Sequence, residues 1–157
     1  MVLFVISGIL FNTVVYKMNK HLTMNHIVQT WSFTMIFLFV FDIYVDGKWH
    51  GYWYFSKEID WHNLLVYLCL IPPVNVIFLN WFPFKGARLT KFYYSVLWLI
   101  FLLSYEILAL SPRPWGYFHY GWWHLFYSIL LDPVLLMILL VHHEWVCKIE
   151  KSSFKKI

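Results

Sequence analysis

Residues 122–142 read WWHLFYSILLDPVLLMILLVH, an apolar stretch that contains one carboxylate, Asp132. An α-helix needs about 20 predominantly apolar residues to cross the hydrocarbon core of a bilayer, because each residue advances the helix by about 1.5 Å. This stretch therefore predicts a transmembrane helix that ends the apolar part of the chain.

Four further apolar stretches precede it, near residues 1–16, 27–46, 63–82 and 92–110. Hydrophobic residues make up 61% of the chain and charged residues 13%, against roughly 25% charged residues in an average soluble domain. We therefore expect an all-α fold, a polytopic membrane protein in which residues 1–157 form a single bundle of five transmembrane helices. The first stretch lacks the basic region of a secretory signal, so we interpret it as a retained first span.

The basic residues predict how the bundle is oriented. Nine of the twelve fall in connections on one side: Lys17, Lys20, Lys85, Arg88, Lys91, Lys148, Lys151, Lys155 and Lys156. The other side carries Lys48, Lys57 and Arg113. Since cytoplasmic connections are enriched in Lys and Arg, we expect an outer N-terminus and a cytoplasmic C-terminus in the plasma membrane.

The two predicted outer connections are rich in aromatic residues. The first contains Trp49, Tyr52, Trp53, Tyr54, Phe55 and Trp61, and the second contains Trp115, Tyr117, Phe118, Tyr120, Trp122 and Trp123. Amphipathic rings settle at the headgroup level of a bilayer, so one interpretation is an interfacial belt. The alternative is an aromatic lid over a cavity that faces outward.

Three carboxylates lie within predicted spans: Asp42, Glu106 and Asp132. A charge at the bilayer centre costs roughly 2.5 to 3.5 kcal/mol, so each needs a partner, water or a proton. Asp42 and Glu106 each lie four residues before the outer end of a span, about 6 Å deep, and we expect them to meet in one site. Asp132 lies deeper, at the level of Asn75, and we predict a hydrogen bond between these two.

The pattern of the second span predicts which face looks into the bundle. Polar and large residues recur at intervals of three and four, at Gln29, Ser32, Met35, Phe39, Asp42 and Asp46. We expect this face to point inward. We also expect kinks at Pro72-Pro73 and at Pro133, because proline removes a backbone donor.

Motifs for catalysis are sparse. No nucleophile elbow, phosphate-binding loop or zinc-protease helix is present, and the excess of positive charge reflects membrane anchors, which argues against nucleic acid. Outer histidines could combine with a carboxylate in a metal site, with His119, His124 and Glu106 as candidates. An intramembrane metal-dependent hydrolase is thus one alternative, although we favour a non-enzymatic role without a cofactor.

Several segments resemble a group of small multi-span membrane proteins of bacilli and clostridia. The resemblance is carried by Asp42-Ile43-Tyr44, Ile71-Pro72 through Trp81-Phe82-Pro83, Tyr105-Glu106-Ile107, and Tyr120-Gly121-Trp122 through Ser128 to His142. It implies a multi-span fold, a bacterial plasma membrane, and Glu106 as a residue of interest.

Together these features predict an integral membrane component that binds a small ligand or cation in an outward-facing polar cavity. The candidate ligand-binding residues are Asp42, Asn75, Tyr105, Glu106, His124 and Asp132. Such a protein would serve as a sensor, a permeation subunit or an accessory subunit, with other membrane proteins or further copies of itself as partners in the bilayer. The alternative is a structural or assembly factor whose polar residues hold helices together.

Overall fold

The computed structural model describes residues 1–19, 21–57 and 61–154, which are mostly helical. The elements are α1 (Val2–Met18), α2 (Met24–Asp42), β1 (Tyr52–Tyr54), α3 (Trp61–Cys69), α4 (Ile71–Trp81), α5 (Arg88–Ala109), β2 (Phe118–Tyr120) and α6 (Leu125–Phe154). A π-helical turn, Ile43–Lys48, continues α2. The predicted anchors Lys20, Lys155 and Lys156 lie outside the described residues.

Four helical stretches are long and apolar enough to cross a membrane: Met24–Lys48, Trp61–Trp81, Arg88–Ala109 and Leu125–Ser153. The prediction of a helical, membrane-type fold is confirmed at this level. Helix α1 is apolar but has only 17 residues, so its place as a fifth span stays a prediction.

The proline pair divides the third predicted span, as its position in the sequence indicated. Pro72 and Pro73 lie in the first turn of α4. The N–H groups of a first turn have no acceptor within the helix, so proline costs no helical hydrogen bond there. The carbonyl of Cys69, which Pro73 cannot bond, instead accepts a hydrogen bond from Asn12 Nδ2 of α1 (2.8 Å). By contrast, α6 continues as one helix through Pro133.

Helix α4 forms the centre of the bundle and packs against α1, α2 and α3. Its side chains Val76, Phe78 and Leu79 are almost fully buried. Helix α5 lies at the periphery, where Ala109 is its one buried residue. An apolar helix with so little of its surface buried within the chain is suited to contact lipid.

The inward face of α2 differs from the predicted one. Its buried residues are Thr30, Thr34 and Asp42, whereas Gln29 and Ser32 are exposed. The buried set follows a spacing of four and multiples of four, so it forms one ridge along the helix. Two threonines on this ridge allow α4 to approach closely, because small side chains permit tight helix packing in membranes.

The two predicted outer connections pair as a short antiparallel sheet. Tyr52 lies opposite Tyr120, Trp53 opposite His119, and Tyr54 opposite Phe118. Backbone hydrogen bonds from Val2 to Pro114 (3.1 Å) and from Leu3 to Trp115 (3.3 Å) bring the start of α1 to the same place. We call this end of the bundle, with residues 47–57 and 111–124, the strand end.

The opposite end holds most of the described basic residues, and we call it the lysine end. It contains Lys17, Lys85, Arg88, Lys91, Lys148 and Lys151, against Lys48, Lys57 and Arg113 at the strand end. Asn80 joins two elements here, since it donates to the carbonyl of Met18 (3.0 Å) and accepts from the N–H of His21 (3.1 Å). The described connections thus lie at two ends, with six basic residues at one end and three at the other, and the side of a membrane that each end faces stays a prediction.

Candidate functional site

A cavity of about 270 Å³ lies between α2, α4, α5 and α6, below the strands. That volume corresponds to about nine water molecules at roughly 30 Å³ each. Most of its wall is apolar or aromatic, and four of the six predicted ligand-binding residues line it: Asn75, Tyr105, Glu106 and Asp132. We call it the Glu106 cavity.

Glu106 of α5 is the centre of a hydrogen-bond network. Its Oε1 atom accepts from the hydroxyl of Tyr120 (2.5 Å) and from Ser128 Oγ (2.7 Å). Ser128 in turn accepts from the indole N–H of Trp123 (3.0 Å). Burial, together with the hydrogen bond to Glu106, raises the pKa of Tyr120, so this hydroxyl remains a donor. The network fixes one carboxylate oxygen at the cavity wall.

Asp132 of α6 lies one helical turn beyond Ser128 and also lines the Glu106 cavity. Glu106 of α5 lines the same cavity. The cavity therefore places two acidic groups in a wall that is otherwise largely apolar. Acidic groups in such surroundings require a proton or a cationic partner.

The strand end closes the cavity with a lid of buried rings from Tyr52, Tyr54, Tyr117, Phe118 and Trp123. Tyr117 is joined by its hydroxyl to that of Tyr105 (3.1 Å), which also bonds Ser7 Oγ of α1 (2.6 Å). Burial raises the pKa of Tyr117, so its hydroxyl stays protonated.

Other rings of the same connections remain exposed. Trp49, Trp115 and Trp122 are 45% to 58% exposed, as side chains of an interfacial belt would be. The exposed rings are available to the predicted interfacial belt and the buried rings to the predicted lid, and both interpretations stay predictions.

Asp42 lies outside the Glu106 cavity, in a second pocket with Asp46. Its carboxylate accepts a hydrogen bond from the Tyr52 hydroxyl and faces that of Tyr67. Burial raises the pKa of Tyr52, and the charge of Asp42 is the second cause. The Tyr52 hydroxyl therefore stays protonated and donates the hydrogen bond. The structure does not bring Asp42 and Glu106 together. Tyr52 lies between the two sites, since it lines the Glu106 cavity and its hydroxyl donates a hydrogen bond to Asp42.

The predicted hydrogen bond between Asn75 and Asp132 is absent from the described residues. Asn75 Nδ2 donates instead to Thr34 Oγ1 of α2 (3.0 Å). Both residues line the Glu106 cavity, and their matching depth stays a prediction. The buried ridge of α2 supplies a closer acceptor than α6 does.

The predicted metal ligands are not brought together. His124 is exposed, stacks on Tyr127 and does not line the cavity, which corrects its assignment as a wall residue. His119 lies on β2, where its ring stacks on Trp53, and burial lowers its pKa. Within residues 1–19, 21–57 and 61–154, no three His, Cys, Asp or Glu side chains converge as metal ligands.

A polar cluster that the sequence pattern does not predict lies at the lysine end. His143 is buried, and His142 stacks on Phe33 with ring centroids 4.0 Å apart. His26 Nε2 lies 2.7 Å from Glu150 Oε2. The sequence gives no sign that His26, near the start of α2, contacts Glu150, near the end of α6. Their contact depends on how the two helices pack.

Comparison with family models, curated proteins and solved structures finds no match to this chain. The resemblance to the small membrane proteins of bacilli and clostridia accordingly stays a prediction.

Proposed function

We propose that this chain is a non-enzymatic, multi-pass protein of the plasma membrane that binds a small amphiphilic cation in the Glu106 cavity. The observation that carries the proposal is the pair of acids, Glu106 and Asp132, in the wall of a largely apolar cavity under an aromatic lid. Such a protein would act as a sensor, a permeation subunit or an accessory subunit of a larger complex.

The distribution of polar groups favours a cationic head. One oxygen of Glu106 is already bonded by Tyr120 and Ser128, which leaves Asp132 and the second oxygen of Glu106 to meet a ligand. An ammonium group donates up to three hydrogen bonds and carries the opposite charge. It therefore satisfies acidic groups that apolar surroundings would otherwise keep protonated.

The shape of the cavity favours an apolar tail. Along α6 its wall extends from Ser128 to Leu139, about 16 Å at 1.5 Å per residue. The part farthest from the lid is lined by apolar side chains, including Phe33, Leu136 and Leu139. A head at Glu106 and Asp132 would place a short alkyl chain against these residues.

We further propose that α1 is a fifth span and that the strand end faces outward. Helix α1 has 17 residues, about 26 Å of helix, which approaches the roughly 30 Å of a hydrocarbon core. Six described basic residues at the lysine end against three at the strand end support a cytoplasmic lysine end.

The ligand proposal is tested with hexylammonium, hexanol and hexanoate on the purified full-length protein in lipid nanodiscs. We expect hexylammonium alone to raise the midpoint of thermal unfolding, since only bound ligand stabilises the folded state. Asp132→Asn and Glu106→Gln should abolish the increase, whereas Asp46→Asn, in the other pocket, should retain it. Equal effects of the three compounds, or variants that respond like the wild type, would refute the proposal.

The orientation is tested by cysteine labelling on intact cells, after Cys69 and Cys147 are replaced by alanine. A membrane-impermeant maleimide should label Trp115→Cys at the strand end, since Trp115 is 58% exposed. It should reach Leu89→Cys, at the lysine end, only after permeabilisation. The reverse pattern would invert the proposed topology.

A structural or assembly role is the second candidate, supported by the side-chain hydrogen bonds that join helices. Ser7 bonds Tyr105 between α1 and α5, and Asn75 bonds Thr34 between α4 and α2. Under this role, the Glu106 and Asp132 variants would weaken the fold or a complex without changing any response to hexylammonium.

A further inference from the structure

A second pocket, of about 300 Å³, lies at the strand end between the π-helical turn after α2 and the start of α3. Its polar lining consists of Asp42, Asp46, His50, Lys57, Asn63 and Tyr67. We call it the Asp42 pocket. The ligand proposed for the Glu106 cavity does not involve it.

Two buried oxygen atoms in this pocket have no hydrogen-bond partner in the described part of the chain. They are Asp42 Oδ2 and Asn63 Oδ1, and their residues are only 4% and 8% exposed. A carboxylate oxygen and an amide oxygen act as acceptors, so what they lack is a donor or a cation. Buried acceptors of this kind are costly to leave unpaired and are rare in folded proteins.

Asp46 adds a second carboxylate to the same pocket. It is 9% exposed and lines the pocket together with Asp42, which lies four residues earlier in the chain. The two acids lie at the junction between α2 and the π-helical turn Ile43–Lys48. π-Helical segments occur often at functional sites, because the extra residue in the turn re-aims the side chains around it.

Among the described residues, the basic side chains that line the pocket do not neutralise Asp42 and Asp46 through ion pairs. Lys57 is exposed, and its ammonium lies over the Trp53 ring, 5.5 Å from the centroid. His50 is exposed as well. Neither group forms an ion pair with Asp42 or Asp46 in the described structure.

We propose that the Asp42 pocket binds one hard divalent cation of the Ca²⁺ class. Its protein ligands are Asp42 Oδ2, the carboxylate of Asp46 and Asn63 Oδ1, and water completes the coordination. Carboxylate, amide carbonyl and water oxygens are the ligands that Ca²⁺ takes in proteins, in flexible geometry. Because Asp42 ends α2, Asp46 lies in the π-helical turn that continues it and Asn63 lies in α3, the ion joins two spans at the strand end.

The experiment is calorimetric titration of Ca²⁺ into the purified full-length protein in lipid nanodiscs that lack anionic lipid. We expect one ion per chain. Asp46→Asn should weaken binding at least about tenfold, because it removes a charged ligand. Glu106→Gln, in the separate cavity, should leave the affinity unchanged. Absence of Ca²⁺ binding by the wild type, or an Asp46→Asn protein with wild-type affinity, would overturn the proposal.

A variant that binds Ca²⁺ more tightly than the wild type separates loss of a ligand from poor folding, because a poorly folded protein would not gain affinity. Asn63→Asp supplies a third carboxylate, and we expect it to bind Ca²⁺ more tightly than the wild type does. Asn63→Leu removes the amide oxygen and should bind more weakly. If both substitutions leave the affinity unchanged, Asn63 is not a ligand and the proposed site is wrong. The hexylammonium response is measured separately, so each proposal fails on its own result.

Discussion

The Glu106 cavity and the Asp42 pocket each hold two acids, yet their surroundings differ. Glu106 has one oxygen fixed by Tyr120 and Ser128, and the cavity beside it is elongated and mostly apolar. Asp42 has one oxygen bonded to Tyr52 and the other without a partner, in a smaller volume that also contains an amide oxygen. Carboxylates at similar predicted depth thus acquire different chemistry from the neighbours that the strands and helices bring to them.

The largest effect that distinguishes the two sites should come from Glu106→Ala. This change leaves the hydroxyls of Tyr120 and Ser128 without their shared acceptor, and we expect a loss of about 3 kcal/mol in the free energy of unfolding. Reversible unfolding in mixed micelles, followed by tryptophan fluorescence, measures it.

Glu144→Ala is the matched control, because Glu144 is an exposed glutamate on α6. Its effect should stay within about 0.5 kcal/mol. Equal losses in the two variants would show that the Glu106 network does not stabilise the fold.

Tyr52→Phe should have the next largest effect, because it removes the hydroxyl that donates to Asp42 Oδ1. Neither oxygen of the Asp42 carboxylate then has a hydrogen bond among the residues that the structure describes. We expect a loss of about 2 kcal/mol, measured by the same unfolding assay. Tyr16→Phe, at a position that is 88% exposed, serves as the control. A neutral Tyr52→Phe would mean that Tyr52 contributes only its ring, as part of the lid.

Thr34→Val should have the smallest effect, since it removes only the acceptor of Asn75 while keeping the side-chain shape. Polar contacts between helices in membranes average about 0.6 kcal/mol, and we expect a loss of that size. Thr13→Val is the comparison, because the Thr13 hydroxyl bonds only the carbonyl of Ile9 in its own helix (2.7 Å). A loss above about 2 kcal/mol for Thr34→Val would indicate that the cavity wall itself has collapsed.

Helix positions were predictable because length and hydropathy decide them. Apolar stretches near residues 27–46, 92–110 and 122–142 correspond to α2, α5 and α6, and the proline pair marked the break before α4. Glu106, Asp132, Asn75 and Tyr105, which the sequence offered as ligand-binding candidates, line one cavity, and their role as ligands stays a prediction.

Side-chain partners were not predictable, because they depend on helix rotation and on contacts distant in sequence. Asn75 donates to Thr34 rather than to Asp132, because the buried threonine ridge of α2 faces α4. The strands were missed since three-residue strands carry little periodic signal. One signal was available in Gly121, where a Cβ atom would lie 2.1 Å from the carbonyl oxygen of His50. A glycine at so close an approach indicates that two connections touch.

Helix α6 is longer than a bilayer requires. Its 30 residues extend for about 45 Å, against a hydrocarbon thickness of roughly 30 Å. The 22 residues from Pro133 to Phe154 form an arm of about 33 Å, so a tilt of about ten degrees beside Asp132 displaces the far end by about 6 Å. A change of helix direction at Pro133, next to Asp132 in the cavity wall, would therefore be amplified toward the far end of α6.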